Sequence, residues 1–165
     1  MFSKTAEYAL RALVYLAAAD DEGEGAAAAP EAPRRPPQTV EQIAESTQVP
    51  AGYLAKVLQS LTRAGLVASQ RGIGGGFRLA RAPGAITVYE AVEAVDPIPR
   101  IRECPLGLER HSGGRLCPLH RGLDDAMCLI EEQFRATTLA QLVEDPPAMD
   151  LSRQVAGAQQ SLTVL

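Results

Sequence analysis

The chain contains no tryptophan, and aromatic residues make up only 4% of its 165 positions. Its apolar content therefore comes mainly from Ala, Leu and Val, which favours helices packed through small aliphatic side chains. No stretch approaches the ~20 apolar residues that span a bilayer, so no membrane association is expected. Cysteine is scarce: three residues, an odd number without a disulfide framework, which points to a reducing, cytoplasmic setting. The apolar run Leu13–Ala19 follows Lys4, but Glu7 and Arg11 interrupt the region at helical spacing, so it reads as a first helix rather than a leader.

Acidic residues are also missing where they matter. Between Ser46 and Tyr89 there is no Asp or Glu, while Lys56, Arg63, Arg71, Arg78 and Arg81 all fall in that window. The rest of the chain carries all 20 acids against 11 of the 16 bases, and the net charge of −4 hides this segregation. A basic module inside an acidic chain marks a surface suited to phosphate.

Periodicity supplies the elements. Leu10, Leu13, Val14 and Ala17 share one face of a helix from about Lys4 to Ala19. Residues 20–37, rich in Ala, Pro, Glu and Gly, read as a flexible insertion. Thr39 and Gln42 have capping-box spacing, opening a short helix with Val40, Ile43 and Ala44 inward. Gln48-Val-Pro50 breaks it. A second helix follows from Ala51, buried through Leu54, Val57, Leu58 and Leu61 and ended by Gly65. Two short helices joined by a tight break predict a helix-turn-helix.

Leu66–Ser69 and Phe77–Leu79 read as strands flanking the Gly-rich tip Gln70–Gly76, a β wing. Thr87 and Glu90 predict a second capping box, opening a helix that Pro97 and Pro99 stop. A long helix carries Leu119, Leu123, Met127, Ile130 and Phe134, and a short helical piece follows Thr138. The fold class expected is mainly α with a two-stranded wing: a winged helix-turn-helix over 1–96, a Cys/His loop over 97–118, a long C-terminal dimerisation helix region over 119–145, and a loose tail over 146–165.

On the second helix of the pair, Lys56, Gln59 and Arg63 oppose the apolar face, a layout that suits a major groove. Lys56 and Gln59 are placed to read base edges, Arg63 and the Tyr53 hydroxyl to hold phosphate. Arg71, with Gly74 beside it, suits the sugar-phosphate ridge of a narrow minor groove. A phosphate-loop reading of the Gly run fails, since no Lys-Ser or Lys-Thr pair follows Gly76. No enzymatic activity is expected.

Four of the five Cys and His residues cluster as Cys104, His111, Cys117 and His120, a metal-site signal. Paired C-x-x-C knuckles are absent, so structural zinc is the weaker reading. Cys128, on the long helix, is assigned to packing.

These residues resemble the Rrf-type transcriptional regulators. The match runs through Ser3–Leu10, Gly52–Leu61, Ala64–Val67, Ser69–Phe77, Ile86–Val92, Cys117–His120 and Thr138–Leu142, spanning Met1 to Glu144 apart from the insertion. The resemblance implies a homodimer joined through the long helix, with two winged helices on a palindromic double-stranded operator. It also implies control by an iron–sulfur cluster held by the preceding loop. Members that bind a cluster usually carry three close cysteines there; here His111 stands between Cys104 and Cys117. Some members recruit an acidic residue from the partner's first helix, and Glu7 holds that position. The implied site is a 2Fe-2S cluster on Cys104 and Cys117, completed by His111, His120 or Glu7. A metal-free regulator responding to thiol oxidation or a partner protein, and a zinc-stabilised interaction module, are the rival readings.

Overall fold

The computed structural model describes residues 3–21, 36–98 and 118–144. Most of the 20–37 insertion, nearly all of the Cys/His loop with Cys104, His111 and Cys117, and the 146–165 tail lie outside the described residues.

Helix α1 (Lys4–Asp21) is the centre of the fold. Its buried face alternates Ala6, Ala9, Ala12, Leu13, Leu16 and Ala17, and the alanines leave room for neighbouring helices to come close. Helix α2 (Val40–Thr47) opens on the predicted capping box: Thr39 accepts from the Gln42 amide, and the Gln42 side chain accepts from the Thr39 amide. Gln48 ends it in the left-handed region (φ 55°), returning its N–H to Ala44 and Glu45.

Helix α3 (Ala51–Arg63) buries Leu54, Val57, Leu58 and Leu61. Its end is a Schellman turn: Gly65 at φ +71° lets Leu66 donate back to Leu61 and Gly65 to Thr62. Strands β1 (Val67–Gln70) and β2 (Gly76–Leu79) pair antiparallel, Val67 opposite Leu79 and Gln70 opposite Gly76. The first strand starts one residue later than expected. Leu66 belongs to the helix-ending turn and buries its side chain there.

The wing has a further rung. Gln38 and Phe77 exchange both backbone hydrogen bonds at 2.8 Å, and the Tyr15 hydroxyl donates to the Gln38 side chain. The chain returning from α1 thus forms the outer edge of β2 just before α2 begins.

A 3₁₀ turn (Pro83–Ala85) leads to α4 (Val88–Glu93), capped by Thr87 and Glu90 as expected. This helix ends at Glu93, in a turn at Ala94 and Val95; Asp96 still bonds back to Val92, and Pro97, with no N–H, cannot make the next bond to Glu93, while Pro99 lies outside the described residues. Helices α5 (Pro118–Ala136) and α6 (Leu139–Glu144) complete the described residues. Reciprocal bonds from Val88 to Thr137 and from Leu139 to Ile86 fasten the start of α4 to the α5–α6 junction.

The single apolar stripe expected on α5 divides in two. Phe134 packs against Ala6, Val88 and Val92 of its own chain, and Met127 and Ile130 are half-buried. Leu119 and Leu123 are exposed, as is Leu129 outside the stripe. The five positions span only about 80° of the helix circumference, so the division runs along the axis: Phe134 near the C-terminal end meets α4, while Leu119 and Leu123 near the N-terminal end stay open to solvent. Among the described residues no helix is long and apolar enough to cross a membrane.

Candidate nucleic-acid interface

The exposed face of α3 and the base of the wing enclose an open groove of about 600 Å³. Lys56, Gln59, Thr62 and Arg63 line one wall; Ser69, Gln70, Arg71, Gly76 and Phe77 line the other. Among the described residues no carboxylate lines it. Three cations therefore face one concave surface without a competing acid, and amide and hydroxyl groups stand between them. Lys56, Gln59, Arg63 and Arg71 are all exposed, so a ligand can reach them. The buried stripe of α3 fixes that helix against α1 and makes the groove wall rigid, which favours a preorganised contact surface.

Four expected site residues thus converge: Lys56, Gln59, Arg63 and Arg71. Gly74 sits at the wing tip at φ +76°, in a turn closed by the Gly75 amide on the Gly72 carbonyl at 2.9 Å. Tyr53 is displaced from the groove. Its ring stands edge-on to Tyr8, with centroids 5.5 Å apart, and its hydroxyl is 2.7 Å from Thr5 Oγ1. The phenol that sequence assigned to phosphate is thus shared with α1. Ser69 and Gln70 were not singled out from sequence; their position on the strand entering the Gly-rich tip was the available signal.

The acid-free window is not acid-free in space. Arg81 donates to Glu90 at 2.7 Å and to the Ala85 carbonyl at 3.0 Å, so it belongs to the α4 cap rather than the basic surface. Burial pushes the Glu90 pKa up, but the Thr87 amide and the Arg81 guanidinium outweigh it and hold the group below its ordinary value. A carboxylate held down in the folded state adds stability above its unfolded pKa and loses it as pH falls through its folded pKa. Glu90→Gln, which keeps an acceptor for the cap, is therefore expected to be less stable than the parent at neutral pH. The difference should close on acidification through the carboxylate range, as followed by urea unfolding at several pH values.

Of the metal-ligand candidates, Glu7 and His120 are described. Glu7 accepts from Lys4 at 2.8 Å and from Arg11 at 2.6 Å. Those cations, Lys4 first, hold its pKa down against partial burial. Arg11 also reaches the Thr47 carbonyl at 3.4 Å, at the end of α2. His120 is buried, 4% exposed, in the first turn of α5. Among the described residues no group of three or more His, Cys, Asp or Glu is placed to hold a metal ion.

Comparison with known proteins agrees with this architecture. The family model Rrf2, described as an iron-dependent transcriptional regulator, matches residues 2–145. A putative HTH-type transcriptional regulator of Aquifex aeolicus is 31% identical over 145 residues, covering 87% of this chain and 91% of that protein. The HTH-type transcriptional regulator IscR of Vibrio campbellii is 31% identical over 116 residues, covering 70% and 68%. Among solved structures, CymR, the global cysteine regulator of B. subtilis, superposes with a TM-score of 0.64 at 26% identity, covering 87% of this chain and 96% of that one. These relatives are regulators of transcription rather than enzymes, and the chain belongs to the Rrf2 family of DNA-binding transcriptional regulators.

Proposed function

We propose that the protein is a cytoplasmic homodimeric repressor that places α3 of each protomer in successive major grooves of a palindromic operator. The observation carrying the reading is the groove that no described carboxylate lines, with Lys56, Arg63 and Arg71 on facing walls. Lys56 and Gln59 read base edges, Arg63 and Arg71 hold phosphates, the Tyr53 hydroxyl adds a phosphate contact at the helix start, and Gly74 lets the wing approach the backbone. The dimer seam is the uncovered face of α5, where Leu119, Leu123 and Leu129 are 46%, 38% and 62% exposed in the single chain.

The salt dependence of duplex binding tests both parts. Each neutralised phosphate contributes about −0.9 to the log–log slope, so the two phosphate-holding cations of each protomer, Arg63 and Arg71, predict about −4 for a dimer and about −2 for a monomer. Leu123→Glu should shift the sedimentation coefficient to that of a single chain and the slope toward the smaller value. A flat salt response would remove the DNA-reading assignment, and an unshifted sedimentation coefficient would remove the seam.

The gating part of the proposal is a 2Fe-2S cluster. Its support is donor chemistry: two thiolates, Cys104 and Cys117, and two imidazoles, His111 and His120, gathered before and at the head of α5, in a family described as iron-dependent. Such a cluster would supply a redox-responsive charge, and imidazole ligation would raise its potential above that of an all-thiolate set. Both Glu7 oxygens already accept from cations, Lys4 and Arg11, whose charge disfavours a bound metal ion, which makes the imidazoles the better completing ligands. Protein purified without oxygen is expected to show broad visible absorption with equal iron and sulfide, lost in Cys104→Ala and Cys117→Ala. A colourless, iron-free sample that binds duplex DNA would transfer sensing to thiol oxidation or a partner protein.

A further inference from the structure

We propose that Ile73 is an apolar reader of the minor groove, selecting A·T over G·C pairs beneath the wing tip by excluding the guanine amino group. The inference rests on the DNA-binding reading above and adds a specificity residue to it. Ile73 is 109% exposed, as open as in an extended peptide and the most exposed large hydrophobic residue among those described. Of the other described isoleucines, Ile43 and Ile86 are fully buried and Ile98 and Ile130 are partly buried. Among the described residues none covers the Ile73 side chain, so the packing of the fold gives no reason for an apolar residue there.

The turn is nevertheless built. Gly72 at φ +100° and Gly74 at φ +76° flank Ile73, and the Gly75 amide closes the loop on the Gly72 carbonyl. A side chain added at Gly75 would collide with the Gln70 carbonyl, so the backbone path beneath the tip is tightly set. A β-branched residue on a fixed turn has few rotamers to lose when it docks, which lowers the cost of ordering it. Arg71, two residues away, lines the groove with Lys56 and Arg63, so the tip projects beyond a cationic surface that draws in the duplex.

With α3 in a major groove, the tip meets the neighbouring minor groove. There A·T pairs present only acceptors, while G·C adds the guanine N2 amino donor at the groove floor. Two methyl-bearing branches offer that donor no acceptor and occupy the space into which it projects, so a buried amino group would be left unsatisfied. Apolar side chains enter the minor groove in other DNA-binding proteins, so the chemistry is compatible with such a contact.

The test starts from a random-sequence duplex library, from which sites are selected by the full-length parent and by Ile73→Ala. Affinities are then compared for A·T, G·C and inosine·cytosine pairs at the positions under the tip. The parent is expected to favour A·T over G·C by about tenfold, in the range of a single-pair change in a specific site. Inosine, which lacks the amino group, should behave as A·T. Ile73→Ala should bring the ratio close to one while keeping preferences at positions read by Lys56 and Gln59, with an unchanged thermal midpoint. A parent without the preference, inosine behaving as guanine, or a ratio that survives Ile73→Ala would each overturn the assignment. Failure of the parent to retain any duplex would instead overturn the DNA-binding reading on which it stands.

Discussion

Arg71→Glu is expected to lower duplex affinity by at least about a hundredfold, from a lost contact of ~1–3 kcal/mol and the repulsion that replaces it in each protomer. Arg71 lines the groove from the wing side, opposite Lys56 and Arg63, and among the described residues no carboxylate shares that lining. Reversing the sign puts a carboxylate against the phosphate ridge. The log–log salt slope should become less negative by about 2 in a dimer, one phosphate per protomer. Because the side chain is exposed, the urea midpoint should not move. A fluorescence-anisotropy titration across several salt concentrations reads both quantities. Retention of affinity with an unchanged slope would mean that the wing lies away from the DNA backbone.

Gly76→Ala is expected to destabilise the fold by about 2–3 kcal/mol and to abolish duplex binding with it. A Cβ at Gly76 would stand 2.5 Å from the Gln38 carbonyl oxygen and 2.7 Å from its carbon. Both are backbone atoms, so no rotamer change relieves the clash. The structure can yield only by pushing Gln38 off β2, which breaks the paired hydrogen bonds between Gln38 and Phe77. Hydrogen exchange at those two amides should accelerate together, and the urea midpoint should fall. Gly52→Ala is the control: Gly52 lies in the first turn of α3, a methyl there would meet nothing within 4 Å, and helix propensity favours Ala. That variant should be as stable as the parent or slightly more so.

Features governed by near neighbours were legible in the sequence. Both capping boxes, at Thr39 and Thr87, depend on residues three apart, and both formed with reciprocal bonds. The buried stripe of α3 and the left-handed Gly65 depend on one turn of helix and its end. A third set of reciprocal bonds, between Thr138 and Gln141, opens α6 with the same spacing, so that helix was readable in the same way. What sequence missed depends on contacts that span the fold. Arg81 counted as a surface cation until its neighbour across the 3₁₀ turn, Glu90, proved to be its partner. Gln38 looked like the last residue before a cap, yet it forms the wing's outer rung, because β2 returns to it from 39 positions downstream. The place of Tyr53 at the start of α3 gave no sign of its contacts with Thr5 and Tyr8 on α1, 48 and 45 positions upstream. The convergence of Lys56, Gln59, Arg63 and Arg71 follows from helix periodicity and the wing; the absence of any acid from the lining needed the fold.

The central position of α1 bears on how the chain is made. Ala9, Leu13 and Leu16 share one core with Leu139 and Val143 of α6, while Ala6 meets Val88 and Val92 of α4. Synthesis runs from the N-terminus, so α1 leaves the ribosome before every helix that covers it, and its burial is completed last. Its apolar face waits through the translation of more than a hundred residues, several seconds at ordinary elongation rates of about 5–20 residues per second. During that interval the emerging helix is a natural client for nascent-chain chaperones, and a transcript cut short before α6 yields a product with an open core, suited to proteolysis rather than to occupying DNA.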